Sequence, residues 1–280
     1  MYRIISKEII NKFITKMEIE SPLVAKKAEP GQFIILRVDE GGERIPLTIA
    51  DFDREKGTVT IIFQVVGATT EKLNELNEGE CILDFVGPLG NPTELEGIKK
   101  AAVVGGGVGC AIAYPIAKKL HASGADVHSI IGFRNKELVI LENEFNNSSD
   151  LLKMMTDDGS CGEKGLVTDA LEELIKNGHE YDAVFAIGPL IMMKFVCELT
   201  KKYNIKTIVS MNPIMIDGTG MCGGCRLTVG GKTKFACIDG PDFDGHLIDF
   251  DEAIERSSMY KDFEKHRRDE NCNLLKKEVN

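Results

Sequence analysis

"KKAAVVGGGVGCAIAYPIAKKLHASG", residues 99–124, runs an apolar stretch into a glycine cluster and out again into a helix-spaced stretch. Residues 99–104 read as a strand. Gly105, Gly106, Gly107, Val108 and Gly109 follow. Apolar positions then repeat at helical spacing until Gly124 stops the run. Pro115 falls early in this helix, where a missing hydrogen bond is tolerable. A strand that turns through glycines into a helix opens a parallel βαβ unit. Glycine there lets the backbone approach a pyrophosphate, which rests on free N–H groups at the helix start. The same cluster could also be only a tight structural turn.

The pattern repeats towards the C-terminus. "DVHSIIGFRN" reads as a strand, "KELVILENEF" as a helix and "DLLKMMTDDGS" as a strand running into a loop. "TDALEELIKNG" reads as a helix capped by Thr168, "YDAVFAIG" as a strand, "PLIMMKFVCELTKKYN" as a helix and "KTIVSMN" as a strand. Strands alternating with helices over more than a hundred residues predict a parallel α/β sheet, assigned to residues 97–210. Open sheets of this kind bind ligands beyond the carboxyl ends of their strands. Gly132 and Arg134 lie on that edge, as do Asp157 and Asp158, and Gly188, Pro189 and Met192. Arg134 suits a phosphate or a neighbouring acid. Carboxylates at 157 and 158 would suit ribose hydroxyls and repel a 2′-phosphate, which favours NADH over NADPH.

Before residue 97 the texture differs. "YRIISKEI", "FITKMEIE", "FIILRVDE", "GTVTIIFQVVG" and "ECILDFVGPLG" are short alternating runs separated by turn residues. They predict a small antiparallel barrel over residues 1–96. "RIPLT" (residues 44–48) ends a loop and enters a strand. Gly67, Thr69 and Thr70 sit at a turn leading into a helix. An arginine and a Gly/Thr-rich helix start can hold a second pyrophosphate; an exposed arginine and an ordinary helix cap fit equally well.

After residue 210 regular patterning stops, and residues 211–280 are read as a cysteine-loop module with a charged, helix-prone tail. "IDGTGMCGGCRLTVGGKTKFACIDG" (216–240) holds three of the eight cysteines. Cys222 and Cys225 form C-x2-C, and Cys237 follows after eleven residues. A plant-type 2Fe–2S site adds a cysteine four spacers before the hook. Asp217 stands there, giving D-x4-C-x2-C-x11-C. Ferric iron accepts a carboxylate oxygen, and the glycines can turn N–H groups towards sulfur. Structural zinc is the rival, although its sites normally pair two short hooks and this loop has one. Cys272 or Asp239 are other sources of a fourth ligand. His246 with Asp239, Asp242 and Asp244 reads as a solvated acidic loop, and the five scattered cysteines as small buried hydrophobes.

The whole chain bounds the rest. Its 280 residues, 43% apolar and 28% charged, suit two globular domains plus a small module. A net charge of −10 argues against nucleic acid or an anionic membrane as partner. No apolar run approaches the ~18 residues of a membrane span. The N-terminus lacks the apolar block of a signal peptide, so a cytoplasmic protein is expected.

In this order the pieces resemble the ferredoxin reductase-like family. A C-terminal 2Fe–2S loop narrows the resemblance to the dihydroorotate dehydrogenase electron-transfer subunits. "MNPIMIDGTGMCGGCR", with aspartate in the first ligand place, resembles the small (alpha) subunit of NADH-dependent ferredoxin:NADP+ oxidoreductase, a type also labelled sulfide dehydrogenase beta subunit. The resemblance implies FAD in the barrel, held at Arg44, Pro46, Leu47 and Thr48 and at Phe63, Gln64, Gly67, Thr69 and Thr70. Pro46 stands where more distant reductases carry a flavin-packing tyrosine. The resemblance further implies NAD(H), with NADP(H) possible, and a 2Fe–2S cluster on Asp217, Cys222, Cys225 and Cys237. It implies electron transfer to a larger flavin and iron–sulfur subunit that couples NADPH, NAD and ferredoxin by bifurcation. In the dihydroorotate dehydrogenase subunits the first cluster ligand is normally cysteine, so Asp217 weighs against that alternative, which serves pyrimidine synthesis. A non-catalytic, zinc-stabilised nucleotide-binding module is the other alternative, and it would be colourless.

Overall fold

The structure, a computed structural model, describes residues 1–259. Its N-terminal third is a nearly closed antiparallel barrel. The elements in chain order are β1 (Tyr2–Asn11), β2 (Ile14–Glu20), α1 (Pro22–Lys27), β3 (Phe33–Arg37), β4 (Ile45–Asp53), β5 (Thr58–Gln64), α2 (Ala68–Glu75), β6 (Cys81–Ile82) and β7 (Asp84–Leu89). The strands pair in the order β6-β1-β2-β5-β4-β3-β7. Alternation sets which side chains turn inwards. Ile4, Met17, Ile19, Ile34, Leu36, Ile49, Ile61 and Phe63 fill the interior. Ile49 is fully enclosed there, so Ile49→Val is expected to cost about 1 kcal/mol of unfolding free energy, measured from the urea midpoint.

An α/β layer follows. It runs β8 (Lys100–Gly106), α3 (Cys110–Ala122), β9 (Asp126–Phe133), α4 (Glu142–Asn146), β10 (Leu151–Thr156), β11 (Glu163–Lys164), α5 (Val167–Lys176), β12 (Ala183–Ile187), α6 (Leu190–Lys202) and β13 (Thr207–Ser210). The strands lie parallel in the order β11-β10-β9-β8-β12-β13. Both faces are covered, which explains the uninterrupted apolar reading of β8. Ala101 and Val103 pack with Ile116 and Leu120 of α3. Ala102 and Val104 pack with Leu171 of α5 and Met193 and Val196 of α6. The chain winds outwards from β8 to β10, then crosses back to β12 on the other side of β8. The crevice beyond the β8 and β12 carboxyl ends is therefore the switch point.

Several local expectations are corrected. "KELVILENEF" is no single helix: a short 3-10 turn at Lys136–Leu138 and α4 are separated by Leu141, which has φ 59°. The β-branched Val139 and Ile140 between them favour extended backbone. Thr168 does not cap α5. The helix begins at Val167, and the Asp169 carboxylate accepts the Leu166 N–H at 2.9 Å instead. Of the scattered cysteines, Cys110 and Cys197 are buried, Cys161 is half-buried and Cys81 is exposed. Cys272 lies outside the described residues.

Regular structure also continues past residue 211. β14 (Arg226–Val229) and β15 (Lys232–Phe235) form a hairpin, followed by α7 (Ala236–Asp239), β16 (Asp242–Asp244) and α8 (Phe250–Ser258). Its two-residue turn, Gly230 and Gly231 at φ +58° and +73°, needs left-handed backbone at both positions. β16 adds to the α/β sheet, antiparallel to β13, so the sheet is mixed rather than purely parallel. The acidic segment is thus a sheet strand and not a solvated loop. His246 beyond it meets the buried Thr200 hydroxyl of α6 at 3.0 Å. One apolar cluster runs from Phe33 and Ile35 of the barrel through the sheet to Cys225, Leu227, Cys237 and Phe243.

Candidate functional site

The barrel, the α/β layer and the C-terminal segment meet around one cavity of about 1450 Å³. Of the glycine loop, Gly106, Gly107, Val108 and Gly109 form its wall. Gly109 sits where backbones touch: a Cβ would stand 2.6 Å from the Ile187 carbonyl oxygen and 2.7 Å from the Gly188 Cα. At Gly106 a Cβ would run into the Met192 sulfur at 2.4 Å. Gly107 has φ +56° and open space where a side chain would go. Gly105 faces the other way, against Cys110 of α3. Burial pushes the Cys110 thiol up, which suits packing and not reactivity.

The neighbouring strand ends complete this side. Gly132, Arg134, Asp157, Gly188, Pro189 and Met192 all line the cavity. Asp158 does not. Its carboxylate accepts the Ser160 N–H at 2.9 Å and the Ser160 hydroxyl at 2.6 Å, which holds it below the usual carboxylate range.

From the barrel, Pro46, Thr48 and Gln64 line the cavity. Strand parity decides this. Leu47 and Phe63, one residue out of phase, pack on the barrel core. Arg44 is exposed, and it stands outside the wall together with Gly67, Thr69 and Thr70. These four are nevertheless neighbours, because the Thr69 hydroxyl donates to Glu43 at 3.1 Å, next to Arg44. The Thr70 hydroxyl accepts the Gly67 N–H at 3.0 Å and closes the start of α2. Walls that the sequence reading missed come from Phe13, Ile14 and Phe33, from 210–216, and from Arg226 and α8. Only the position of 210–216 just beyond a predicted strand end hinted at them.

The cysteine loop is the second centre. Cys225 and Cys237 are buried and Cys222 is exposed; all three are free thiols. Gly224 N–H donates to the Cys222 sulfur and Cys237 N–H to the Cys225 sulfur, both at 3.4 Å. Burial, then the neighbouring Cys225, pushes the Cys237 thiol up to about 12. Asp217 accepts Thr219 N–H at 2.5 Å and Cys222 N–H at 2.6 Å. The Thr219 N–H is the largest reason its carboxyl is held low. Among the described residues no three His, Cys, Asp or Glu side chains already form a metal cage. The donor set still fits an iron–sulfur cluster. Two of the three thiols are buried, N–H groups are aimed at sulfur, and the Asp217 carboxyl is held low in the same loop. Asp239 accepts the Phe235 N–H at 2.8 Å and pairs with Lys234 at 3.1 Å.

Known proteins share this arrangement. The iron-sulfur cluster binding domain of dihydroorotate dehydrogenase B matches residues 212–249. The dihydroorotate dehydrogenase B (NAD(+)) electron transfer subunit homolog of Thermotoga maritima is 49% identical over 247 residues, 88% of this chain and 87% of its own. The corresponding electron transfer subunit of Caldanaerobacter subterraneus is 36% identical over 225 residues, covering 78% and 86%. Among solved structures, a chain of the NADH-dependent reduced ferredoxin-NADP oxidoreductase, studied for flavin-based electron bifurcation, superposes with a TM-score of 0.92. It is 44% identical, with 97% of this chain and 98% of that one covered. This chain belongs to the family of the dihydroorotate dehydrogenase B electron transfer subunits, on a ferredoxin reductase-like fold.

Proposed function

We propose that the chain is the electron-transfer subunit of a flavin and iron–sulfur oxidoreductase. It links NAD(H), FAD and a 2Fe–2S cluster to a larger flavin and iron–sulfur partner, as in NADH-dependent ferredoxin-NADP oxidoreductase. One observation carries the reading: a single cavity joins the barrel edge at Thr48 and Gln64 to the glycine loop at 106–109, with the cysteine loop packed on the same core. When bound, FAD supplies the exchange between two-electron nicotinamide chemistry and one-electron iron–sulfur chemistry.

The residues have separate tasks. Pro46, Thr48 and Gln64 present the barrel edge to the flavin. Arg44 and the α2 start at Gly67, Thr69 and Thr70 supply positive potential for its pyrophosphate. The loop at 106–109, with Gly188 and Pro189, lets the nicotinamide nucleotide lie close to backbone. Arg134, which makes no ion pair among the described residues, is free for a phosphate. Asp217, Cys222, Cys225 and Cys237 hold the cluster. Hydride transfer between nicotinamide and flavin needs no side-chain acid or base. The seven described cysteines are all free. No helix among the described residues is long and apolar enough to cross a membrane.

Asp157 gives the preference for NADH over NADPH. Asp157→Ala is expected to weaken NADH binding about tenfold, about 1.4 kcal/mol, and to narrow its margin over NADPH in paired titrations. An unchanged preference would remove Asp157 from the ribose site.

The partner decides between the two complexes this family suggests. The test is anaerobic purification of the chain from its host, with the co-purifying chain identified by mass spectrometry. A larger flavin and iron–sulfur chain supports the ferredoxin-NADP reading, which Asp217 favours. A dihydroorotate dehydrogenase catalytic chain moves the function to pyrimidine synthesis, with the path inside this subunit unchanged.

A further inference from the structure

A carboxylate lies behind the cavity wall with one oxygen unpartnered. Asp242 of β16 stands across the ladder from Ser210 of β13. Its Oδ2 accepts the Thr93 hydroxyl at 2.5 Å. Its Oδ1 is shut off from solvent and has no hydrogen-bond partner among the described residues. The turn at Gly31 closes the remaining side, where a Cβ would stand 3.0 Å from Oδ2 and 2.1 Å from the Thr93 hydroxyl. Asp242 thus joins the barrel, the segment leading from β7 to β8 and the α/β sheet at one point. The ionisable groups on these segments are Glu29, Glu94, Glu96, Lys99 and Asp244. Glu29 pairs with Arg54 at 2.7 Å, and Asp244 accepts the His246 N–H at 3.0 Å. Among the described residues no salt bridge reaches Asp242, and burial and the Thr93 and Ser210 hydroxyls are what act on it.

Burial pushes the Asp242 carboxyl up to about 6, with the Thr93 and Ser210 hydroxyls pulling the other way. Because the folded value lies above the unfolded one, the fold prefers the protonated acid. Stability from this group is present below about pH 4 and is lost as pH rises to about 6, so at neutral pH the carboxylate weakens the fold. Packing does not demand that. An amide has the same shape and accepts the same Thr93 hydroxyl. What the acid adds is a titrating group behind Ser210, which lines the cavity with Met211 and Pro241. Groups kept at a cost in stability, beside a cavity, are candidates for function.

We propose that Asp242 is a proton-accepting positioning residue of the cavity: with Ser210 as the hydroxyl between, it takes up one proton from water when negative charge is added to the ring held there. The proposal rests on the flavin reading above. The balance is simple. With FAD bound, a hydride from a nicotinamide donor would bring two electrons and one proton and so add one negative charge beside Ser210. Water supplies a further proton, which forms an O–H bond on Asp242 and offsets that charge without joining the ring.

The test compares the wild-type complex with Asp242→Asn. Without added nucleotide, the variant is expected to melt higher than wild type at pH 8, with the gap closing towards pH 4. In spectroelectrochemical titration of the bound flavin, wild type is expected to take up close to one more proton per two electrons than the variant at pH 7 to 8, and a smaller excess at pH 6. Equal proton uptake with flavin bound would overturn the proposal, as would melting curves whose pH dependence the substitution does not change. A wild-type complex purified without flavin absorbance would overturn the cavity reading and the proposal together, and that failure shows in the spectrum before any titration.

Discussion

Asp217→Ala is expected to leave a protein that keeps its flavin and loses its iron, from about two irons per flavin to about none. Three thiolates cannot complete the tetrahedral shell of both irons in a 2Fe–2S cluster. The loss is compounded by the loop. Asp217 accepts the N–H groups of Thr219 and Cys222, so its removal also frees the exposed Cys222. Cys225 and Cys237 stay packed in the core and stay close, as their N–H···S contact requires. Two further variants separate ligation from loop folding. Asp217→Asn keeps an acceptor for the loop but is a poor ligand, and should lose iron too. Asp217→Cys offers a thiolate at the same spacing and should hold the cluster, with altered visible absorption. Iron and flavin are measured on the same anaerobic sample. Unchanged iron in Asp217→Ala would make another group the ligand and return Cys272 and Asp239 to consideration.

The glycine loop was legible because three signals agreed at 99–124: an apolar run, glycines and helical spacing. Its side chains were less legible than its backbone. Gly105 was grouped with Gly106 to Gly109, yet it packs on Cys110, because successive strand residues face opposite sides. The same parity put Leu47 and Phe63 in the barrel core while Pro46, Thr48 and Gln64 reached the cavity. A motif read as a string does not carry that distinction; a strand register does.

The C-terminal segment hid more. Gly230–Gly231 between "RLTV" and "KTKF" is a hairpin signal, but the cysteines drew the reading first. Asp242 was masked differently. In a run of acids the natural reading is a solvated loop, and only pairing with β13 takes this one out of water. Cavity walls from Phe13, Arg226 and α8 come from distant parts of the chain, so no local pattern announces them.

Gly109→Ala is expected to abolish nucleotide use without removing either prosthetic group. The added methyl would meet the Ile187 carbonyl and the Gly188 Cα, both backbone atoms of the facing strand end. Neither can rotate away, so the glycine loop and α3 must move off β12. Overpacking of this kind costs about 1–3 kcal/mol of stability. The larger effect falls on NADH. The crevice between β8 and β12 is the switch point, and displacing its edge misaligns the N–H groups meant for the pyrophosphate. A loss of about 2.7 kcal/mol, about a hundredfold in Kd, is expected. Gly107→Ala is the comparison. It meets no atom within 4 Å, so it reports only the cost of a left-handed backbone, about 1 kcal/mol. Dithionite should still reduce the flavin and cluster of the Gly109 variant, while NADH at wild-type concentrations should not. If NADH reduced it as well as wild type, the loop would be a structural turn, and the nucleotide would have to bind elsewhere along the cavity.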